Sequence, residues 1–258
     1  MNSTPLKGRK AIVTGGVAGI GLSIALELSR QGASVVVGSR RGDDVEPEKL
    51  GNFAQPVLFA GLDVGDADSV SRFMMRSQEF HGDSDILVNN AGVSVHHLVE
   101  GHSEDDWNRV ININLNGPFR MIRACIASMK RAGWGRIVNI ASTAARTAEP
   151  THGAYCASKA GLVGLSRAVA KEGAPHGISC VCVSPTWVET DMLRNSARVQ
   201  AEASGRTYEE EIQLMCESIP QGRLVQPQEI ASLVAFACTD AAPALTMEDI
   251  QVNAGAMW

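Results

Sequence analysis

Tyr155 and Lys159 stand four residues apart in the stretch His152–Glu172, whose pattern predicts a long helix, so the two side chains share one face. An ammonium beside a phenol stabilises the phenolate, and is expected to bring the tyrosine pKa down towards the working range. Such a tyrosine gives a proton to a carbonyl oxygen as hydride arrives at the carbon, and takes it back in the reverse direction. Ser142, thirteen residues upstream, ends a predicted strand, at the edge where open α/β sheets gather their active sites. Its hydroxyl can hydrogen-bond the reacting oxygen. Taken alone, a Tyr–Lys pair at this spacing is usually an exposed polar pair, so the weight falls on what accompanies it.

A second chemical motif lies near the N-terminus. Thr14-Gly15-Gly16-Val17-Ala18-Gly19-Ile20-Gly21 joins a short apolar run, Lys10–Thr14, to a helical pattern over Gly19–Arg30. Glycines there permit a tight turn and let a pyrophosphate approach backbone N–H groups at the positive end of a helix. The spacing is not GxGxxG, and a plain glycine-rich turn is the competing reading.

The elements that must position these residues alternate along the chain. Strands are predicted at Lys10–Thr14, Ser34–Gly38, Val57–Gly61, Asp85–Asn89, Arg136–Ala141, Ile178–Val183 and Asp249–Val252. Helices are predicted between them, near Asp66–Phe80, Ser103–Ile111, Gly117–Arg131, His152–Glu172 and Gln226–Cys238. Short apolar runs without alternation imply strands buried on both faces, hence a parallel sheet between helix layers. The expected fold is a single α/β doubly wound, Rossmann-like domain, 1–258, with seven parallel strands. The polar, largely helical insertion at about 191–220 suits a mobile cover over a site.

Composition narrows the function classes. The 258 residues carry 23 Lys and Arg against 28 Asp and Glu, a net charge of −5, which gives no support to a nucleic-acid surface. No apolar run reaches the roughly 18 residues of a membrane span, and the polar stretch Met1–Lys10 lacks a signal-peptide centre, so a cytoplasmic location is expected. The six cysteines show no CxxC pair and read as free thiols. His96-His97 with His102, Glu104, Asp105 and Asp106 reads as a solvated loop and helix start, and no metal is expected.

TGGVAGIG, Asn89-Asn90-Ala91-Gly92, Ser142 and Tyr155-Cys156-Ala157-Ser158-Lys159 together closely resemble the short-chain dehydrogenase/reductase family, in order and spacing and over nearly the whole chain. The resemblance implies a nicotinamide dinucleotide cofactor, hydride transfer between a secondary alcohol and a ketone, and assembly as a homotetramer or homodimer. It implies that Gly15, Gly19, Ile20 and Gly21 belong to the cofactor turn, that Asp63 and Val64 meet the adenine, and that Asn89 and Ala91 line the cofactor cleft. Asn114 matches the fourth catalytic member, which holds a water relay to the lysine, with Asn112 and Asn116 as neighbours that compete for the assignment. Val188 and Thr190 match the pair that contacts the nicotinamide amide. Thr186, Met247 and Ala254 stand where the family usually has glycine, and Asn253 where it has aspartate.

Cofactor choice is read at the end of the second strand. An acidic residue there accepts bonds from the ribose hydroxyls and repels a 2′-phosphate. Here Ser39 and Arg40 can bind that phosphate instead, so NADP(H) is expected, with NAD(H) the alternative because Val17 is not basic and Asp43-Asp44 lie close by. Ser94, Ala144, His152 and Trp187 are expected to shape the substrate pocket. Resemblances point both to the 3-hydroxybutyrate dehydrogenase branch and to polyketide and cyclic-ketone reductases. An NAD-dependent hydroxy-acid or cyclic-alcohol dehydrogenase stays open, as does a non-catalytic dinucleotide-binding regulator. Ala157, Gly161, Gly164 and Ala168 form a small-residue stripe on the long helix, read as a subunit interface or as packing within the subunit.

Overall fold

Strands with apolar residues on both faces must be covered on both faces, and the chain supplies a helix layer for each. The computed structural model describes residues 4–148 and 150–256. Within them β1 (Lys10–Thr14), β2 (Ser34–Ser39), β3 (Val57–Gly61), β4 (Ile86–Asn89), β5 (Gly135–Ile140), β6 (Ile178–Pro185) and β7 (Asp249–Val252) form one sheet. The order is β3-β2-β1-β4-β5-β6-β7, and every pairing is parallel. This is the expected doubly wound, Rossmann-like sheet.

The helices are α1 (Gly19–Arg30), α2 (Ala67–His81), α3 (Glu104–Ile111), α4 (Gly117–Ala132), α5 (Gly153–Gly173), α6 (Asp191–Ser204), α7 (Tyr208–Glu217) and α8 (Pro227–Ala237). On one face Leu28 of α1 and Val234 of α8 pack with Val13, Val37 and Val88. On the other, Phe73, Met121 and Val169 from α2, α4 and α5 pack with Ile12, Val36 and Leu87. Sequence neighbours such as Ile12 and Val13 thus serve opposite cores, as the two-residue period of a strand requires.

The sheet reverses its winding between β1 and β4, and the crevice above the carboxyl ends of those strands is where such sheets bind ligands. The floor of that crevice is cross-linked. Thr14 Oγ1 accepts the backbone N–H groups of Asn90 and Ala91, at 3.0 and 3.1 Å. Asn90 Nδ2 donates back to the Thr14 and Gly15 carbonyls, each at 3.0 Å.

The 191–220 segment folds as α6 and α7. The segment buries Leu193, Ala197, Met215 and Ile219 against Leu224 and Ala256, a small core separate from those on the two faces of the sheet. Of the positions where glycine is usual, Thr186 has no positive φ, whereas Met247 and Ala254 do, at 66° and 49°. Both sit where an L side chain is strained.

Candidate active site and dinucleotide cleft

A cavity of about 360 Å³ opens above the β1–β4 crevice. Gly15, Gly19 and Ile20 line it together with Ser142, Tyr155 and Lys159. Ser142 lies two residues beyond β5, its hydroxyl accepting the Ala144 N–H at 3.1 Å across a short 3-10 turn, Thr143–Ala145. Tyr155 and Lys159 lie in the first two turns of α5, with the Lys159 Nζ 5.6 Å from the Tyr155 ring centre. Lys159 is buried and donates to the Ile140 carbonyl at 2.7 Å.

Of the three competing asparagines, Asn114 is the buried one, in a π-helical turn over Asn112–Asn116. Its Oδ1 accepts the Val93 N–H at 2.9 Å, and its Nδ2 donates to the Val93 carbonyl at 2.9 Å and to Ser158 Oγ at 3.0 Å. Ser158 in turn donates to the Tyr155 carbonyl at 2.7 Å. Asn114 Oδ1 and Lys159 Nζ also converge on one point: a Cβ on Gly92 would lie 3.4 and 3.7 Å from them. Asn112 is spent elsewhere, on the Gly65 carbonyl and Arg120, and Asn116 is exposed.

The electrostatics differ from the expectation for Tyr155. Burial pushes its hydroxyl above the ordinary phenol range, and the Ser142 hydroxyl draws it only part of the way back. The ammonium that was expected to lower it is itself desolvated, and burial brings Lys159 down to about 8. A phenol that keeps its proton at neutral pH is the state that can donate to a carbonyl oxygen.

The residues fit a dinucleotide. Helix α1 starts after Ala18 without a side-chain cap, as α4 and α5 also start without one, and Ala18, Gly19 and Ile20 of this start line the cavity. Gly21 is required by close approach rather than by the ligand. A Cβ there would come within 2.4 Å of Asn90 Nδ2 and the Gly15 carbonyl oxygen. Thr190 caps α6, lines the cavity and meets Gly19, while Val188 lines the cavity beside the Val188–Val225 bridge. Ser39 ends β2 opposite Gly61, and Arg40 is exposed beside it. Asp43 turns onto the Gly61 N–H and pairs with Arg76, which holds its carboxyl below the usual carboxylate range.

Three residues that the resemblance gives to the cofactor have side chains engaged within the protein. Asn89 Nδ2 bonds Asn139 Oδ1 at 2.8 Å and its side chain is buried beneath the cleft, because β4 alternation turns it away from the wall that Asn90 and Ala91 line. The Val64 side chain sits in the core against Gly117. Asp63 accepts the Gly65 N–H at 2.8 Å and shapes the turn after β3.

On the substrate side the cavity is lined by Ser94, Ala144, His152 and Trp187. Sequence reasoning missed His96, which lines it too and packs edge-to-face on His152 with ring centres 4.2 Å apart. Burial, then His152 and His97, hold His96 below the ordinary imidazole range. His152 Nδ1 lies 3.0 Å from the Pro150 carbonyl oxygen, which only accepts, so that nitrogen carries the proton. His97 is exposed, 3.7 Å from Asp106.

The sequence model described as short chain dehydrogenase matches residues 9–201. The chain belongs to the short-chain dehydrogenase family. It is 37% identical over 252 residues to 3-oxoacyl-(acyl-carrier-protein) reductase FabG of Pseudomonas aeruginosa, covering 97% of this chain and 98% of the relative. It is 34% identical over 240 residues to D-beta-hydroxybutyrate dehydrogenase of Cupriavidus necator, covering 92% and 93%. A crystal structure of a variant of actinorhodin polyketide ketoreductase with NADPH superposes with a TM-score of 0.92 at 32% identity, covering 96% of this chain and 97% of that one. As a short-chain dehydrogenase the chain is an oxidoreductase acting on CH–OH and carbonyl groups with a nicotinamide dinucleotide. Among the described residues no helix is long and apolar enough to cross a membrane.

Proposed function

We propose that the protein is an NADP(H)-dependent reductase of neutral ketones, with Tyr155 as general acid, and as general base in the reverse direction. The observation that carries this is the convergence of Ser142, Tyr155 and Lys159 on one cavity with the uncapped start of α1. When bound, the dinucleotide supplies or accepts the hydride. Ser142 holds the reacting oxygen and Tyr155 gives it a proton. Lys159 holds its own proton close to the tyrosine, and Asn114 anchors the loop around Gly92 to α5 through Ser158. Tyr155→Phe should abolish turnover of the best ketone. Unchanged turnover would refute the role, and tight dinucleotide binding with no turnover of any ketone or alcohol would favour a regulator.

Cofactor choice rests on Ser39 and Arg40, with Asp43 drawn off by Gly61 and Arg76. A charge-assisted phosphate contact is worth about 1.5–3 kcal/mol, so NADP(H) should be preferred by at least about tenfold in kcat/KM. Ser39→Asp with Arg40→Leu should reverse the preference. Equal or better kcat/KM with NAD(H) in the wild type would overturn it.

The neutral-substrate reading rests on the wall charges. Among the described residues the cavity lining holds one Lys or Arg, Lys159, which the Ile140 carbonyl engages, and burial holds His96 below the ordinary imidazole range. A carboxylate would find no fixed partner there. A β-ketoester such as ethyl acetoacetate should surpass acetoacetate in kcat/KM at pH 8, and the reverse order would sink the reading. We assign the small-residue stripe of α5 to a homo-oligomeric interface, in a tetramer or dimer of a cytoplasmic enzyme. Ala157, Gly164 and Ala168 are exposed, so packing within the subunit does not account for them.

A further inference from the structure

Arg146 and Asp249 are 103 residues apart in sequence and meet at the edge of the active site. Arg146 closes the 3-10 turn that begins after Ser142. Its Nε donates to Asp249 Oδ2 at 2.8 Å, and its NH2 group donates to the Asp249 carbonyl at 3.1 Å. Asp249 opens β7, and its carboxylate side chain is 1% exposed. Ser184 of β6 donates to the other carboxylate oxygen, so both oxygens are satisfied. A buried carboxylate stripped of one partner is strongly unfavourable, which makes this junction stiff.

We propose that Arg146 and Asp249, with Ser184 behind them, are positioning residues that hold the Ser142 turn against the sheet. The proposal rests on the reading of Ser142 as the hydroxyl that holds the reacting oxygen. Among the described residues, the two Arg146 bonds are the side-chain hydrogen bonds that fasten residues 143–148 to another strand. The remaining bonds of the turn are internal: Ala145 to Ser142, and Arg146 and Thr147 to Thr143. Thr147, next to Arg146, lines the cavity, so one junction sets both the serine hydroxyl and part of the substrate wall. None of the three residues touches the cavity, so the pair acts through the turn and not on the substrate.

Two measurements test this on the full chain. The first uses no substrate: hydrogen exchange of the amides of residues 143–147 in the wild type, Arg146→Met and Asp249→Asn. Exchange there should rise at least about tenfold in both variants while that of β1 and α1 stays unchanged. The second is turnover of the best ketone. Arg146→Met and Asp249→Asn should each lower kcat about tenfold with NADPH affinity within about twofold, the double variant should be no worse than either single, and Arg146→Lys should recover part of the loss. Loss of thermal stability with wild-type kcat and unaltered exchange in the turn would reduce the junction to a structural brace. If no ketone is turned over, the exchange result still decides whether the junction holds the turn, and the failure then falls on the proposed function alone.

Discussion

The Lys159 ammonium donates to the Ile140 carbonyl at 2.7 Å, and so ties the helix that carries Tyr155 to the strand that leads to Ser142. One bond thereby fixes two elements whose side chains would converge on one oxygen atom in the proposed reaction. The charge has been moved out of water to do this, and that has measurable consequences.

In the proposed reaction, ketone reduction needs the protons on both Tyr155 and Lys159. With Lys159 lowered to about 8, kcat for reduction should fall as pH rises through that value, while Tyr155, shifted upward, adds its loss at higher pH. A pH profile of kcat at saturating ketone checks this, and a flat profile from pH 7 to 9 contradicts it.

The same lysine should cost stability. Its folded pKa lies below its unfolded value of 10.5, so the unfolded chain binds the extra proton and stability rises with pH between about 8 and 10.5. The shift corresponds to about 3 kcal/mol, against about 1 kcal/mol for the lost Ile140 bond. Lys159→Met should therefore stabilise the ligand-free protein by about 1–2 kcal/mol below pH 8, with the gain shrinking above it. Urea unfolding at pH 7 and pH 10 makes the comparison.

Met247 holds φ at 66°, and the residue is 42% exposed. Met247→Gly should stabilise the fold by about 1 kcal/mol by removing the left-handed strain. Thr186→Gly, where φ is not positive, should instead lose about 0.5–1 kcal/mol through the freer unfolded chain. Thermal midpoints of the two variants moving in the same direction would count against this account.

Gly164 has no heavy atom within 4 Å of a built Cβ, whereas at Gly161 the Leu115 side chain stands 3.0 Å away. Gly164→Leu should leave the subunit folded and break the assembly, read by light scattering. A wild type that scatters as a 27.4 kDa species would remove the interface.

The strands and the helices around the site were legible because their periods reach only a few residues, as in the uninterrupted apolar stretch Val35–Val37. The Tyr155–Lys159 pair was legible for the same reason. Pairings across the sheet were not. Nothing near Arg146 announces Asp249, and nothing near Thr14 announces Asn90 and Ala91. His96 was read as part of a solvated loop because its contact with His152 spans 56 positions. Polarity around residue 191 suggested only a cover. The apolar positions Leu193 and Ala197, one helical turn apart, find Met215 and Ile219 only after the chain doubles back.

The Thr14 hydroxyl has a kinetic consequence. Because it takes two amides from the far side of the crevice, the floor beneath the dinucleotide cannot widen without losing a set of bonds at once. Traffic is left to the roof, where Thr190 of the α6 cap leans on Gly19. We therefore expect α6, rather than the floor, to be the element that moves when the spent nucleotide leaves.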